Sequence, residues 1–263
     1  MSVQTELIAI DYLGPMQWGI TAPRLVRAND SQLYVVKLCG NKMGVKALAN
    51  EAVAANLGAK IGLCFPSSAC IWLDRPLFER NRPLRKAALK EGPHFACRYL
   101  SHTSYVNRFE LSRAINRKQL AGVMLFDQLL HNTDRTHNRK NLLIRSEQEG
   151  HKIYAIDHSH LFKKGRWTKD TLHELAQDLS VNTRRVYGLL LKYYLQPSDF
   201  NVFGEKIKAL TNEELADVIS SVPEIWLPDP DEREALFHHL CIRRNLVDAV
   251  ITAIAAVIPQ RKR

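Results

Sequence analysis

The chain has 263 residues, 46% of them hydrophobic, with a formal charge of +10. That length and apolar share can bury a large core and suit one unit of two lobes better than two independent domains. The basic balance gives a field that favours nucleotides and acidic partners, but the cations are scattered in sequence. No aromatic-interleaved motif of an RNA- or DNA-binding fold is visible, so no specific nucleic-acid partner is expected.

Residues 6–13, 23–28, 32–38 and 67–74 read as strands, interrupted by an Ala- and Leu-rich helix over 45–63. In LYVVK both faces of the strand are apolar, so Lys37 at its end either projects into a cleft or lies in solvent. Glu51 falls in the early turns of the helix. The charged stretch RNRPLRKAALKEG reads as an exposed loop, and HFACRYL follows it. The pattern turns helical after about residue 101, which sets the boundary between an N-terminal lobe (1–100) and a C-terminal lobe (101–263).

Residues 117–131 form a helix whose Leu120, Val123, Met124, Phe126, Leu129 and Leu130 repeat at helical spacing; this stripe reads as core packing. The helix leads into HNTDRTHNRKNLLI. Leu142, Leu143 and Ile144 then begin one strand, SEQEG supplies a turn, and Ile153 to Ile156 form a second strand that ends at Asp157. Beyond Phe162 the signals are helical. TNEE at 211–214 has the look of a helix start with carboxylates in its first turn, Leu227-Pro228-Asp229-Pro230 breaks the helices around it, and one long helix is expected over 233–258.

The hairpin brings an acidic loop residue, Asp134, toward Asn141 at the start of the first strand and Asp157 at the end of the second. Convergence of these three is what a metal–nucleotide site requires, because phosphoryl transfer is mostly positioning and charge neutralisation by carboxylate and amide oxygens. The competing structural reading is a polar loop that caps a helix. A strand lysine facing a helix glutamate, as Lys37 and Glu51 stand, tips the balance toward a nucleotide site. No GxxxxGK[ST] loop occurs that would place the lysine otherwise.

In segment order the chain resembles the HipA-like kinases, on Asn132-Thr133-Asp134-Arg135-Thr136, Asn141-Leu142-Leu143 and Ile156-Asp157-His158, with LYVVK, KALANEAVAANLGAKIGL and HFACRYL in agreement. The resemblance spans nearly the whole chain. It implies an α+β, two-lobed protein-kinase-like fold: an N-terminal lobe of antiparallel sheet plus one helix, and a mostly helical C-terminal lobe. It implies an ATP- and Mg²⁺-dependent phosphotransferase acting on a protein serine or threonine. Asp134 is then the catalytic base, Asn141 and Asp157 the metal ligands, Lys37 and Glu51 the ion pair at the phosphates, and the backbone around Phe95, Ala96, Cys97 and Arg98 holds adenine. Two features depart from the family. The metal-binding asparagine of HipA itself lies five positions after the aspartate, where this chain has Arg139; of Asn138 and Asn141, the latter precedes the strand and is taken as the ligand. The segment GPMQWGITAPRLVRAND lacks G-x-G-x-x-G, leaving Thr21 and the amides near Gly19 and Ile20 to cover phosphate. Lipid or small-molecule acceptors, and a nucleotide-binding module without catalysis, are the alternative readings.

The five cysteines are widely spaced without a C-x-x-C pair and read as reduced, buried thiols. His158-Ser159-His160 is a poor zinc signal. No signal sequence is visible, and AVITAIAAVI falls short of the ~18 residues of a membrane span, so a cytoplasmic protein without a membrane span is expected. Its expected partners are ATP and a protein substrate or regulatory protein.

Overall fold

In a computed structural model the described residues are 6–17, 19–86, 91–163 and 165–259. The chain folds as β1 (Ala9–Pro15), β2 (Arg24–Ala28), β3 (Leu33–Lys37), α1 (Lys46–Ile61), β4 (Ser68–Leu73), α2 (Arg75–Arg80), α3 (Arg82–Lys86) and β5 (Gly92–Arg98). There follow β6 (Thr103–Tyr105), α4 (Arg108–Arg113), α5 (Gln119–Leu129), α6 (Asp134–His137), β7 (Leu142–Glu147) and β8 (Gly150–Ala155). The remainder is helical: α7 (Lys169–Leu175), α8 (Val186–Tyr193), α9 (Pro197–Lys208), α10 (Asn212–Ser220), α11 (Pro230–Asn245) and α12 (Val247–Ala256). This is the expected α+β fold with antiparallel sheets.

The first five strands form an antiparallel sheet in the order β1-β2-β3-β5-β4. It curls until its edges meet, with an isolated bridge between Ile8 and Trp72. Alternation along β3 and β5 sorts their side chains. Tyr34, Val36 and Ala96 join a small core with Ile71, Leu73, Leu77, Phe78 and Leu84. Phe95 and Cys97 point to the opposite side, toward α1 and the main core. Lys37 pairs in register with Phe95, and is thereby set on the α1 side as well.

α1 is buried along most of its length and ends where Gly62, at φ 72°, donates to the carbonyl of Ala59 while Leu63 N donates to Gly58 O, a left-handed closure suited to glycine. It is tied to the C-terminal helices at several levels: Lys46 to Glu232 at 2.5 Å, Asn56 to Ser221 at 3.0 Å and Lys60 to Glu214 at 3.4 Å. The second sheet, β6-β7-β8, carries the predicted hairpin, and Leu142 at the start of β7 pairs with Ala155 at the end of β8. Thr211 and Glu214 form the capping box foreseen for α10, with Glu214 N donating to Thr211 Oγ1 at 3.1 Å and Thr211 N to Glu214 Oε2 at 3.0 Å.

Four expectations are corrected. The first hundred residues hold α2 and α3 besides α1, and part of the charged loop is α3, because Leu84 is fully buried in the small core; residues 87–90 of that loop lie outside the described residues. The long C-terminal helix breaks at Leu246, so that α11 packs on α7 while α12 turns Val247, Val250 and Ile254 toward α5 and α9. Asp134 opens a helical turn, not a loop. The cysteines are not the buried set expected: Cys64 is buried, Cys39, Cys97 and Cys241 are half-buried, and Cys70 is exposed. No helix among the described residues is long and apolar enough to cross a membrane.

Candidate active site

Lys37 is 7% exposed, which excludes the solvated strand end. Its ammonium donates to Glu51 Oε1 of α1 and, at 2.7 Å, to Asp157 Oδ1. Burial alone would lower its pKa, but the carboxylates of Asp157 and Glu51 hold it well above the ordinary lysine value. Asp157 is held well below the usual carboxylate range: burial opposes ionisation, and Lys37 overcomes it, helped by the Ser159 hydroxyl at 2.7 Å and its amide at 3.3 Å. The Asp157 backbone is left-handed, with φ 61°. Glu51 also accepts from the His158 amide at 2.9 Å, so α1, β3 and the segment after β8 meet at one carboxylate. Burial holds the His158 imidazole below its ordinary pKa.

The hairpin register sets the second half of the site. Because Leu142 faces Ala155, the residues just outside the ladder lie side by side, and Ile156 N donates to Asn141 O at 3.0 Å. The Asn141 amide nitrogen donates to Asp134 Oδ2 at 2.6 Å, which leaves its amide oxygen as the group to offer a cation. Asn138 instead accepts from Lys140 N at 3.2 Å, a local turn contact. Asn141 and Asp157 present hard oxygen donors, the chemistry that suits Mg²⁺ held by one or two protein ligands and phosphates. No group of three or more His, Cys, Asp or Glu residues suited to a metal occurs among the described residues.

Phe95, Ala96 and Cys97 sit on β5 directly beside β3. Burial, with Glu51 adding to it, pushes the Cys97 thiol up to about 12, so it is a neutral wall. Thr21 is buried in the β1–β2 connection, where Gly19 adopts φ 118° and accepts from Ala22 N at 3.0 Å; Trp18 lies outside the described residues.

Sequence reasoning missed the groups beneath these residues. Arg135 is fully buried; its Nε donates to Asp127 Oδ2 at 2.7 Å, and one terminal nitrogen donates to the carbonyls of Asn141 at 2.8 Å and Ile156 at 2.7 Å. One side chain thus holds the backbone at both positions from which Asn141 and Asp157 project. Asp127, on α5, also accepts from Asn132 Nδ2 at 2.9 Å and from the Tyr187 hydroxyl. A carboxylate in the otherwise apolar run of α5 was the available signal. Asn50, next to Glu51, was likewise unread. Its amide donates to Ser159 O at 3.0 Å and Gly165 O at 3.2 Å and accepts from the Trp167 indole at 2.8 Å, clamping the segment after Asp157 onto α1.

Comparison with solved structures finds the proinflammatory kinase CtkA of Helicobacter pylori at a TM-score of 0.59 and 13% identity, over 92% of this chain and 94% of that one. This likeness shows a shared kinase-like fold. HipA of Shewanella oneidensis MR-1, solved with HipB and operator DNA, aligns at 0.48 and 12% identity over 97% of this chain and 75% of that one. A Golgi casein kinase with Mn and ADP bound aligns at 0.45 and 12% over 97% and 73%. No curated protein sequence matches the chain. The family model for HipA-like kinases matches residues 9–250, nearly the whole chain, and the chain belongs to that family of phosphotransferases.

Proposed function

We propose a cytoplasmic, ATP- and Mg²⁺-dependent kinase that phosphorylates a serine or threonine hydroxyl of a protein, built as one domain with lobes at 1–100 and 101–263. The observation that carries this reading is the double pairing at the site: Lys37 bridges Glu51 and Asp157, while Asn141 holds Asp134. Glu51 keeps the Lys37 ammonium charged and directed for contact with the α- and β-phosphates. The β5 backbone at Phe95, Ala96, Cys97 and Arg98 borders the adenine, and Thr21 with the Gly19 and Ile20 amides faces the phosphates. Asn141 and Asp157 hold the metal through their oxygens, and bound Mg²⁺ supplies neutralisation of phosphate charge.

Asp134 orients the acceptor hydroxyl and takes its proton as the hydroxyl oxygen bonds to the γ-phosphorus and the bond to the β-phosphate oxygen breaks, releasing ADP. Its carboxylate is fixed for that task by the Asn141 amide, whose own backbone is fixed by Arg135.

The test is incubation of the purified protein with γ-labelled ATP and Mg²⁺, followed by intact mass, beside Asp134→Asn. Gain of phosphate by the native protein alone supports the assignment. Equal gain by both removes Asp134 from the chemistry, and absence of both phosphate gain and thermal stabilisation by Mg²⁺-ATP removes the nucleotide site.

A further inference from the structure

Cations that lie scattered along the sequence are carried by elements that adjoin the turn opened by Asp134: α8 packs against α6, and β6 against residues 139–141. The helical turn that Asp134 opens ends at His137, whose carbonyl accepts from Arg185 at 3.4 Å. Lys140, just before Asn141, lies over the ring of Tyr105, at 5.7 Å from its centroid. Tyr105 ends β6, and α4 begins three residues later with Arg108, whose guanidinium stacks over Tyr193 at 4.4 Å. Lys192 covers the same ring at 5.1 Å. Tyr105 and Tyr193 are each 40% exposed, and the four cations are exposed too. The sequence segments that carry these cations hold few acidic residues. Residues 135–146 and 180–196 contain no Asp or Glu, and residues 101–118 contain only Glu110, which is engaged by Ser104 and the Asn107 amide in the α4 capping box.

We propose that this face docks the polypeptide carrying the acceptor hydroxyl and selects acidic sequence around it, with Asp and Glu side chains of the substrate meeting Lys140, Arg108, Lys192 and Arg185. This rests on the reading of Asp134 as the residue that receives the acceptor. Cations beside aromatics also serve single-stranded nucleic acid, which stacks its bases on open rings. Here Lys140, Arg108 and Lys192 themselves stand over the rings, and cation–π contact holds their heads in place, while the His137 carbonyl holds Arg185. Cations so pre-ordered lose less freedom when a carboxylate arrives, and their shared field steers an acidic chain toward Asp134.

The test measures binding and transfer separately. Fluorescent peptides with one serine flanked by Asp and Glu, or by Lys and Arg, and a labelled oligothymidylate are titrated with the native protein and with the double variant Lys140→Ala/Lys192→Ala. The acidic peptide is expected to bind about tenfold or more tightly than the basic one and to weaken as salt shortens the screening length below about 10 Å. The double variant, with an unchanged melting temperature, is expected to bind it about three- to tenfold more weakly. Equal affinity for the two peptides, unchanged affinity in the variant, or tighter binding of the oligothymidylate overturns the proposal. Phosphate transfer is followed on the same peptides. An acidic peptide that binds as expected but is never phosphorylated leaves the docking face standing and sinks the role given to Asp134.

Discussion

Replacing Asp127 by Asn should destabilise the protein by about 3–5 kcal/mol, the cost of stranding a buried cation. The Asp127 side chain and its partner Arg135 are each wholly buried, so the guanidinium would keep its charge without its bonded counter-ion and with no route to water. A loss of that size is a large part of a typical total of about 5–15 kcal/mol and lowers the melting temperature by about 6–20 °C. Tyr187→Phe, which removes a single hydroxyl from the same carboxylate, should cost only about 1–2 kcal/mol. Arg75→Ala is the surface control: Arg75 and Glu79 are 74% and 59% exposed, and an exposed pair contributes less than about 1 kcal/mol. Thermal and urea melts of the three variants supply the ranking. If Asp127→Asn melts with Arg75→Ala, the network does not support the helical turn that Asp134 opens, and the part assigned to Arg135 is wrong.

Gly165→Ala places a Cβ 2.1 Å from the Ser159 carbonyl, on a backbone at φ 71°, so the segment clamped by Asn50 must open; phosphate transfer is expected to fall about tenfold, and unchanged transfer would mean that the clamp has no bearing on the site. Asn141→Ala should impair Mg²⁺ dependence more than Asn138→Ala, and a Mg²⁺ titration with the opposite ranking would show the wrong asparagine to have been assigned. His131 and His239 are both lowered to about 4, chiefly by burial, against about 6.5 in the unfolded chain. The folded protein therefore binds fewer protons than the unfolded one between these values. Stability from this source is intact above pH 6.5 and is lost as the pH falls toward 4, by up to about 3 kcal/mol per histidine. A melting temperature that stays flat from pH 6.5 to 4.5 would contradict it.

The features legible in the sequence were those written in local periodicity. A short run apolar on both faces put Lys37 at the end of a strand, and the Glu147–Gly150 turn between two short apolar runs set the register that brings Asn141 beside Ile156. Periodicity reports burial, however, and not what a buried polar atom is bonded to. Asp127 vanished into the apolar repeat of α5 because its partner Tyr187 is sixty residues away, and Asn50 into the alanines of α1 because Ser159 and Trp167 are more distant still. The break at Leu246 carries no Gly or Pro, since packing on two different neighbours ends α11. The cations beside Asp134 are adjacent only in space, and scanning the sequence for an interleaved motif passes over them.

The ties along α1 give Glu51 a single seat. In a kinase whose glutamate-bearing helix floats, a regulator can work as a lever, swinging that helix out and undoing the ion pair. Here such a lever would have to break the anchors at Lys46, Asn50, Asn56 and Lys60 together and prise the segment after Asp157 from its clamp. An antagonist that simply fills the cleft or covers the basic face breaks none of them. The fold thus favours control by occupation over control by disassembly.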